Sequence, residues 1–274
     1  MKSSDSTSTT GDTTESDDTP KESQENPTPS QSDKGKLQDR KKESYKLFDE
    51  IAGTYDFLNK LLSCGIDVYW RVKIRKKLPQ KNNLEVLDLA TGTADVPLTL
   101  SSDSKVQHIH GIDLSQKMIR KGREKVKGAN LQGMITLDLG DGVHIPAREA
   151  TYDVVTISFG IRNFPDPQTS LNNAYRVLRP GGRIIITEFA LPKRPLMRKL
   201  YFFYFRKLLP KIGNLLSRHP DAYSYLNESV ESFPYGEDFV SMLKEAGFVR
   251  ARYELMTCGI AALYVGEKPS ENEV

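Results

Sequence analysis

Between residues 84 and 189, short apolar runs alternate with stretches of helical period, and this alternation restricts the fold more than any other feature. Residues 84–89, 106–112, 134–137, 154–158 and 183–189 read as strands. Residues 96–100, 116–126 and 170–178 place apolar side chains every three or four positions and read as helices. Strands joined through helices run parallel, because a parallel pair needs a long crossover. Two further strand-like runs, 248–255 and 260–266, are too close for a crossover and pair antiparallel. A helix over 236–246 precedes them, with Gly247 as its left-handed cap. The expected architecture is a Rossmann-like α/β fold, a mostly parallel seven-stranded sheet with helices on both faces. Upstream, Leu47, Ile51, Tyr55, Leu58, Leu61 and Leu62 fall at helical spacing, Gly65 interrupts, and 70–78 reads as a second short helix.

In open parallel sheets ligands bind at the carboxyl ends of the strands, so the loops there carry the functional argument. The first runs from Val86 to Asp95 (VLDLATGTAD). Gly92 lets the backbone approach a ligand with no Cβ in the way, and the helix start behind it offers free amide donors. Asp113 ends the next strand, 21 residues beyond Gly92, where a carboxylate accepts from ribose hydroxyls. An adenosine-containing ligand is expected there. A dinucleotide is disfavoured, because Gly92-Thr-Ala-Asp-Val-Pro97 keeps only the first glycine of G-x-G-x-x-G. Asp141 and Gly142 follow the third strand, where a carboxylate meets an adenine amine; locally they read equally as a turn pair. Ser158, Phe159 and Gly160 end the fourth strand, and Arg162 and Asn163 continue into the crevice or, for Arg162, onto a surface ion pair.

Residues 1–36 are rich in Ser, Thr, Asp, Glu and Pro and are expected to form a disordered acidic tail, leaving 37–274 as one folded domain. Residues 1–30 carry two lysines against seven acids, so of the net +3 about −5 lies in the tail and about +8 in the remainder. No apolar run reaches the roughly 18 residues of a membrane span, and no secretory signal is evident. Two isolated cysteines and four histidines without ligand spacing argue against a disulfide scaffold and a metal site. The expected setting is cytoplasmic. Five consecutive aromatics from Tyr201 stand beside Lys199, Arg206, Lys207 and Lys211; this suits a membrane interface or a greasy ligand, and equally a core helix. No nucleic-acid partner is expected, because the basic residues are scattered and no RNA-binding module is visible.

Two blocks carry a specific resemblance: Tyr55-Asp-Phe-Leu-Asn59 continuing through Ser63 to Trp70, and the run from Arg176 to Glu188 (RVLRPGGRIIITE). The runs 157–163 and 221–229 agree with them. Over roughly residues 45–267 the chain resembles the C-methyltransferases of ubiquinone and menaquinone biosynthesis. It departs from their pattern at Leu58, Asp67, Ala94 and Ala190. The resemblance implies a class I S-adenosylmethionine-dependent methyltransferase, with cofactor contacts at Thr93, Asp113, Asp141 with Gly142, and Ser158. It implies a membrane-resident polyprenyl quinol as substrate, demethylmenaquinol before a ubiquinol precursor, and through that substrate a peripheral place at the inner face of a membrane. Methylating a ring carbon needs a quinolate, aligned with the donor and stabilised at oxygen. Arg162 is the expected oxyanion partner, with Asn163 sharing the role, and Tyr55 and Asn59 close over the ring. The base is open between His219, water and the substrate itself. The alternatives are another small-molecule acceptor and a catalytically silent scaffold.

Overall fold

A computed structural model describes residues 39–273, apart from 54, 64, 205–206 and 208–220. The acidic tail, His219, Arg206 and Lys211 lie outside the described residues. Seven strands form one sheet in the order β3-β2-β1-β4-β5-β7-β6. They are β1 (Leu84–Leu89), β2 (Val106–Asp113), β3 (Ile135–Leu139), β4 (Tyr152–Ser158), β5 (Leu178–Phe189), β6 (Val249–Met256) and β7 (Ala261–Glu267). The first five run parallel, and β7 is antiparallel to both β5 and β6. Central strands are buried on both faces, which explains why β1 and β4 read as nearly continuous apolar runs.

The helices, in chain order, are α1 (Ser44–Ile51), α2 (Tyr55–Leu62), α3 (Ile66–Arg75), α4 (Asp95–Leu100), α5 (Gln116–Gly128), α6 (Pro167–Val177), α7 (Pro195–Phe203), α8 (Asp221–Ser232) and α9 (Glu237–Glu245). One face of the sheet packs against α6 and α9 through Leu171, Val177, Phe239 and Leu243. The other packs against α3, α4 and α5 through Trp70, Ile74, Leu100 and Ile119. A third, smaller cluster joins α1, α7 and α8 above the sheet, around Leu191, Tyr201 and Val230. Among the described residues no helix is long and apolar enough to cross a membrane.

Three boundaries differ from the sequence reading. The expected N-terminal helical run is two helices, broken after Ile51, and α3 begins at Ile66, directly behind Gly65 at φ +76°. Strand β5 starts at Leu178, with a register shift between Tyr152 and Val154 that accommodates the Pro-Gly-Gly run. The cap at Gly247 (φ +97°) is as expected.

Candidate active site

Strand β1 lies between β2 and β4, so the chain leaves it in opposite directions along the sheet and a crevice opens at the carboxyl ends of β1 and β4. A cavity of about 560 Å³ occupies this place. Its floor is the β1 loop, Ala90 to Thr93, with Ser158 and Phe159 from the end of β4. Ala90 (φ +52°) and Phe159 (φ +56°) hold left-handed backbone without being glycine, and such strain gathers at functional sites. Gly92 is also left-handed, at φ +55°, and no atom lies within 4 Å of where its Cβ would be. The space beside that loop is therefore open to a ligand, and the residues present fit an adenosyl group laid against it.

The carboxylate of Asp113 accepts from the backbone N–H of Gly92 (2.8 Å) and of Ser115 (2.8 Å), so it fixes the loop from the neighbouring strand. Burial pushes this carboxyl above the usual range, while the two amides pull it back. Beneath the loop, Asp88 is buried and accepts from Thr91 Oγ1 (2.6 Å) and Thr156 Oγ1 (2.5 Å). Burial outweighs these bonds and pushes Asp88 up to about 7.

The roof comes from α1 and α2. Asp56 accepts from Thr93 Oγ1 (2.5 Å) and pairs with Lys125, which also pairs with Asp95. Asp49 accepts from Ser115 Oγ (2.5 Å) and from Lys117 N–H at the start of α5. Tyr55 is hydrogen-bonded to Asn59, and burial raises its hydroxyl. On the far wall Arg162 donates from Nη1 to the Phe159 carbonyl (2.5 Å) and to Glu188 Oε1 (2.8 Å). Both members of the pair are buried, Arg162 at 5 % exposure and Glu188 at 1 %. The Arg162 guanidinium also faces the Phe189 ring at 5.2 Å. Lys41 approaches the pair; its amine is held below its usual range by burial and then by the Arg162 charge, against the pull of Glu188. The rest of the wall is greasy, formed by Leu47, Ile51, Met197, Leu200, Phe203 and Leu226.

Of the residues singled out from sequence, Gly92, Thr93, Ser158, Arg162, Tyr55 and Asn59 meet on this one cavity. Asp113 stands behind Gly92. Arg162 is not on a surface ion pair but on a buried one. Asn163 does not line the cavity; it accepts at Oδ1 from the hydroxyl of Tyr225 (3.1 Å), which does. Asp141 and Gly142 are not in the cavity wall: Asp141 accepts from Val143 N–H (2.8 Å), and Gly142 lies against the Phe164 ring. Glu188, Asp88, Asp49 and Asp56 were not anticipated. An acid inside an otherwise apolar strand is the signal that marks Glu188 and Asp88; Asp49 and Asp56 carry none, because their partners are set by tertiary packing.

Solved structures agree on the fold. A Thermotoga maritima S-adenosylmethionine-dependent methyltransferase, described as a possible histamine N-methyltransferase, superposes with a TM-score of 0.57 at 16% identity, covering 82% of this chain and 99% of that one. A Haemonchus contortus phosphoethanolamine N-methyltransferase 2 does so with 0.58 at 17%, covering 78% and 57%. Sequence relatives are nearer. The ubiquinone/menaquinone biosynthesis C-methyltransferase UbiE of Geotalea daltonii is 42% identical over 85% of this chain and 99% of its own length. The demethylmenaquinone methyltransferase of Thermus thermophilus is 40% identical over 81% of this chain and its full length, and that of Chlorobaculum parvum is 40% identical over 86% and 97%. The profile of one family matches residues 35–268, nearly the whole described chain, and with the class I sheet it establishes that this protein belongs to the ubiE/COQ5 methyltransferase family, enzymes that take their methyl group from S-adenosylmethionine.

Proposed function

We propose that the chain methylates a ring carbon of a polyprenylated quinol, demethylmenaquinol in the first instance. The observation that carries this reading is the single cavity in which the Gly92–Thr93 loop, the Arg162 guanidinium and a long apolar wall face one another. The relatives from Thermus and Chlorobaculum bear the demethylmenaquinone name, which favours that acceptor over a ubiquinol precursor.

S-adenosylmethionine, when bound, supplies an electrophilic methyl. Gly92, Thr93 and Ser158 would hold it, with Asp113 bracing the loop. Loss of the quinol hydroxyl proton leaves a negative oxygen and a nucleophilic ortho carbon. Arg162 is the group placed to stabilise that oxygen, because a guanidinium offers several donors in one plane. Tyr55 and Asn59 press on the ring from the roof, aligning the carbon with the methyl. The ring carbon would gain the methyl as the methyl–sulfur bond breaks and the neutral thioether leaves; its own proton would then pass to water, and aromaticity would return. The apolar wall would take the prenyl chain. Helix α7, at its mouth, turns Leu196 (78 % exposed), Leu200 (57 %) and Phe203 (61 %) outward among Lys193, Arg194, Arg198 and Lys199. Apolar side chains ringed by cations suit the anionic surface of the bilayer that holds such a substrate.

The test is labelled methyl transfer in detergent to demethylmenaquinol and, in parallel, to a demethoxylated ubiquinol precursor. Label in the first supports the reading, and label only in the second moves the enzyme to ubiquinone synthesis. Label in neither, with calorimetric cofactor binding intact, removes the quinol. Arg162→Ala is expected to lose about 10²–10³ in turnover while keeping its cofactor affinity; wild-type turnover would take Arg162 out of the mechanism.

A further inference from the structure

Arg162 uses its donors unevenly. Both hydrogens of Nη1 are committed, one to the Phe159 carbonyl at 2.5 Å and one to Glu188 Oε1 at 2.8 Å. Nε is buried with no acceptor among the described residues, and none of them accepts from Nη2. Glu188 holds more than the guanidinium. Its Oε1 also accepts from Phe189 N–H (2.8 Å), and its Oε2 lies 3.4 Å from Arg162 N–H. One carboxylate, from the penultimate residue of β5, therefore fixes both the backbone and the side chain of Arg162. A buried ion pair contributes little net stability, so one kept at the edge of a ligand cavity calls for a reason other than stability.

We propose that Glu188 is a positioning residue for methyl transfer: it clamps Arg162 by Nη1 so that Nη2 is the nitrogen left to receive the acceptor's oxyanion, with the buried Nε–H behind it. A hydrogen bond from a charged donor to an oxyanion is among the stronger ones. Without the clamp Arg162 would be free to rotate, and its charge would be spread over several orientations. Glu188 also pairs with the guanidinium of Arg162 in the resting cavity, where both side chains are buried. This rests on the reading that Arg162 faces the acceptor.

Two measurements test it, one independent of turnover. Glu188→Gln keeps size and an acceptor but removes the charge; Glu188→Asp keeps the charge at shorter reach and guards against a folding defect, checked by melting. Glu188→Gln is expected to lower kcat by up to about a hundredfold with KM and cofactor affinity near wild type, and Glu188→Asp to recover part of it. In the Arg162→Ala background Glu188→Gln is expected to cost nothing further, since a residue acting through another is not additive with it. Additive losses, or wild-type kcat in Glu188→Gln, would overturn the proposal. Independently, the Arg162 Nε–H resonance, assigned by its loss in Arg162→Lys, is expected to be sharp and slowly exchanging in the wild type with S-adenosylhomocysteine and broadened in Glu188→Gln. An identical signal in both would refute the clamp. Should wild-type protein methylate neither quinol, the substrate reading fails and the resonance alone decides the role of Glu188.

Discussion

Gly111, in the middle of β2, tests how tightly the β1 loop is locked from below. A Cβ at this position would lie 2.6 Å from Thr91 Oγ1, 3.0 Å from Thr91 Cβ and 2.7 Å from Leu137 Cδ2. Thr91 is β-branched and stiff, it is buried, and its hydroxyl is bonded to Asp88. Gly111→Ala must push Thr91 away from β2 and lengthen that bond. Overpacking costs about 1–3 kcal/mol, and a hydrogen bond to a carboxylate about 1.5–3 kcal/mol. The two overlap, so a combined loss of about 2–4 kcal/mol is expected. For a domain of this size each kcal/mol moves the melting temperature by about 2–4 °C, giving a fall of roughly 4–16 °C. Differential scanning fluorimetry of the ligand-free protein measures it. Gly133→Ala is the control, because a Cβ there meets nothing within 4 Å. If Gly111→Ala melted with the wild type, the close packing of Thr91 on β2 would be wrong, and with it the claim that the loop is held from beneath.

Three further outcomes follow from the same geometry. Asp88 is pushed up to about 7 from an unfolded value of 3.8, so between these values the folded state holds a proton that the unfolded state has lost. Its contribution is complete below 3.8 and disappears as pH rises through about 7. Asp88→Asn, which imitates the protonated acid, should flatten the loss of stability between about pH 4 and 7 in denaturant titrations; an unchanged pH profile would show that Asp88 is ionised throughout. Gly92→Ala leaves room for its methyl only in the cavity. It should weaken calorimetric S-adenosylmethionine binding by roughly ten- to a hundredfold and, because left-handed backbone at φ +55° strains an alanine by about 1–2 kcal/mol, lower the ligand-free melt by roughly 2–8 °C; full affinity would move the ligand off this loop. Leu196→Glu with Lys199→Glu should abolish co-sedimentation with anionic vesicles while leaving cofactor affinity alone; unchanged sedimentation would remove α7 as the docking surface.

The sheet was readable because its pattern is local. Strands β1, β4 and β5 announce themselves by apolar runs, and the short connection before Ala261 forces β7 to run antiparallel. The glycine loop and Asp113 were readable because strand ends carry ligands in this architecture. What escaped was set by distant packing. Arg162 gives no local sign that its partner lies 26 residues away on β5. Asn163, beside Arg162 in sequence, does not line the cavity itself but holds Tyr225, which does, because the short 3₁₀ turn at Ile161–Asn163 sends neighbouring side chains in different directions. The split between α1 and α2 was hidden because the apolar spacing continues across the break.

The ties between α1–α2 and the core also bear on time. Asp56 reaches Thr93, Asp49 reaches Ser115 and the Lys117 amide, and Lys121 reaches the Gly53 carbonyl. A molecule resting on Gly92 and Thr93 would have that clasp beside it. Were exchange to require parting it, each catalytic cycle would contain a step indifferent to the acceptor, in which the chain lets go of its own first helices before a fresh donor enters. Added salt weakens charge pairs that still reach water, as the part-buried pair of Asp56 with Lys125 does, so it would hasten that release and the same contacts would set both the grip of the enzyme and its pace.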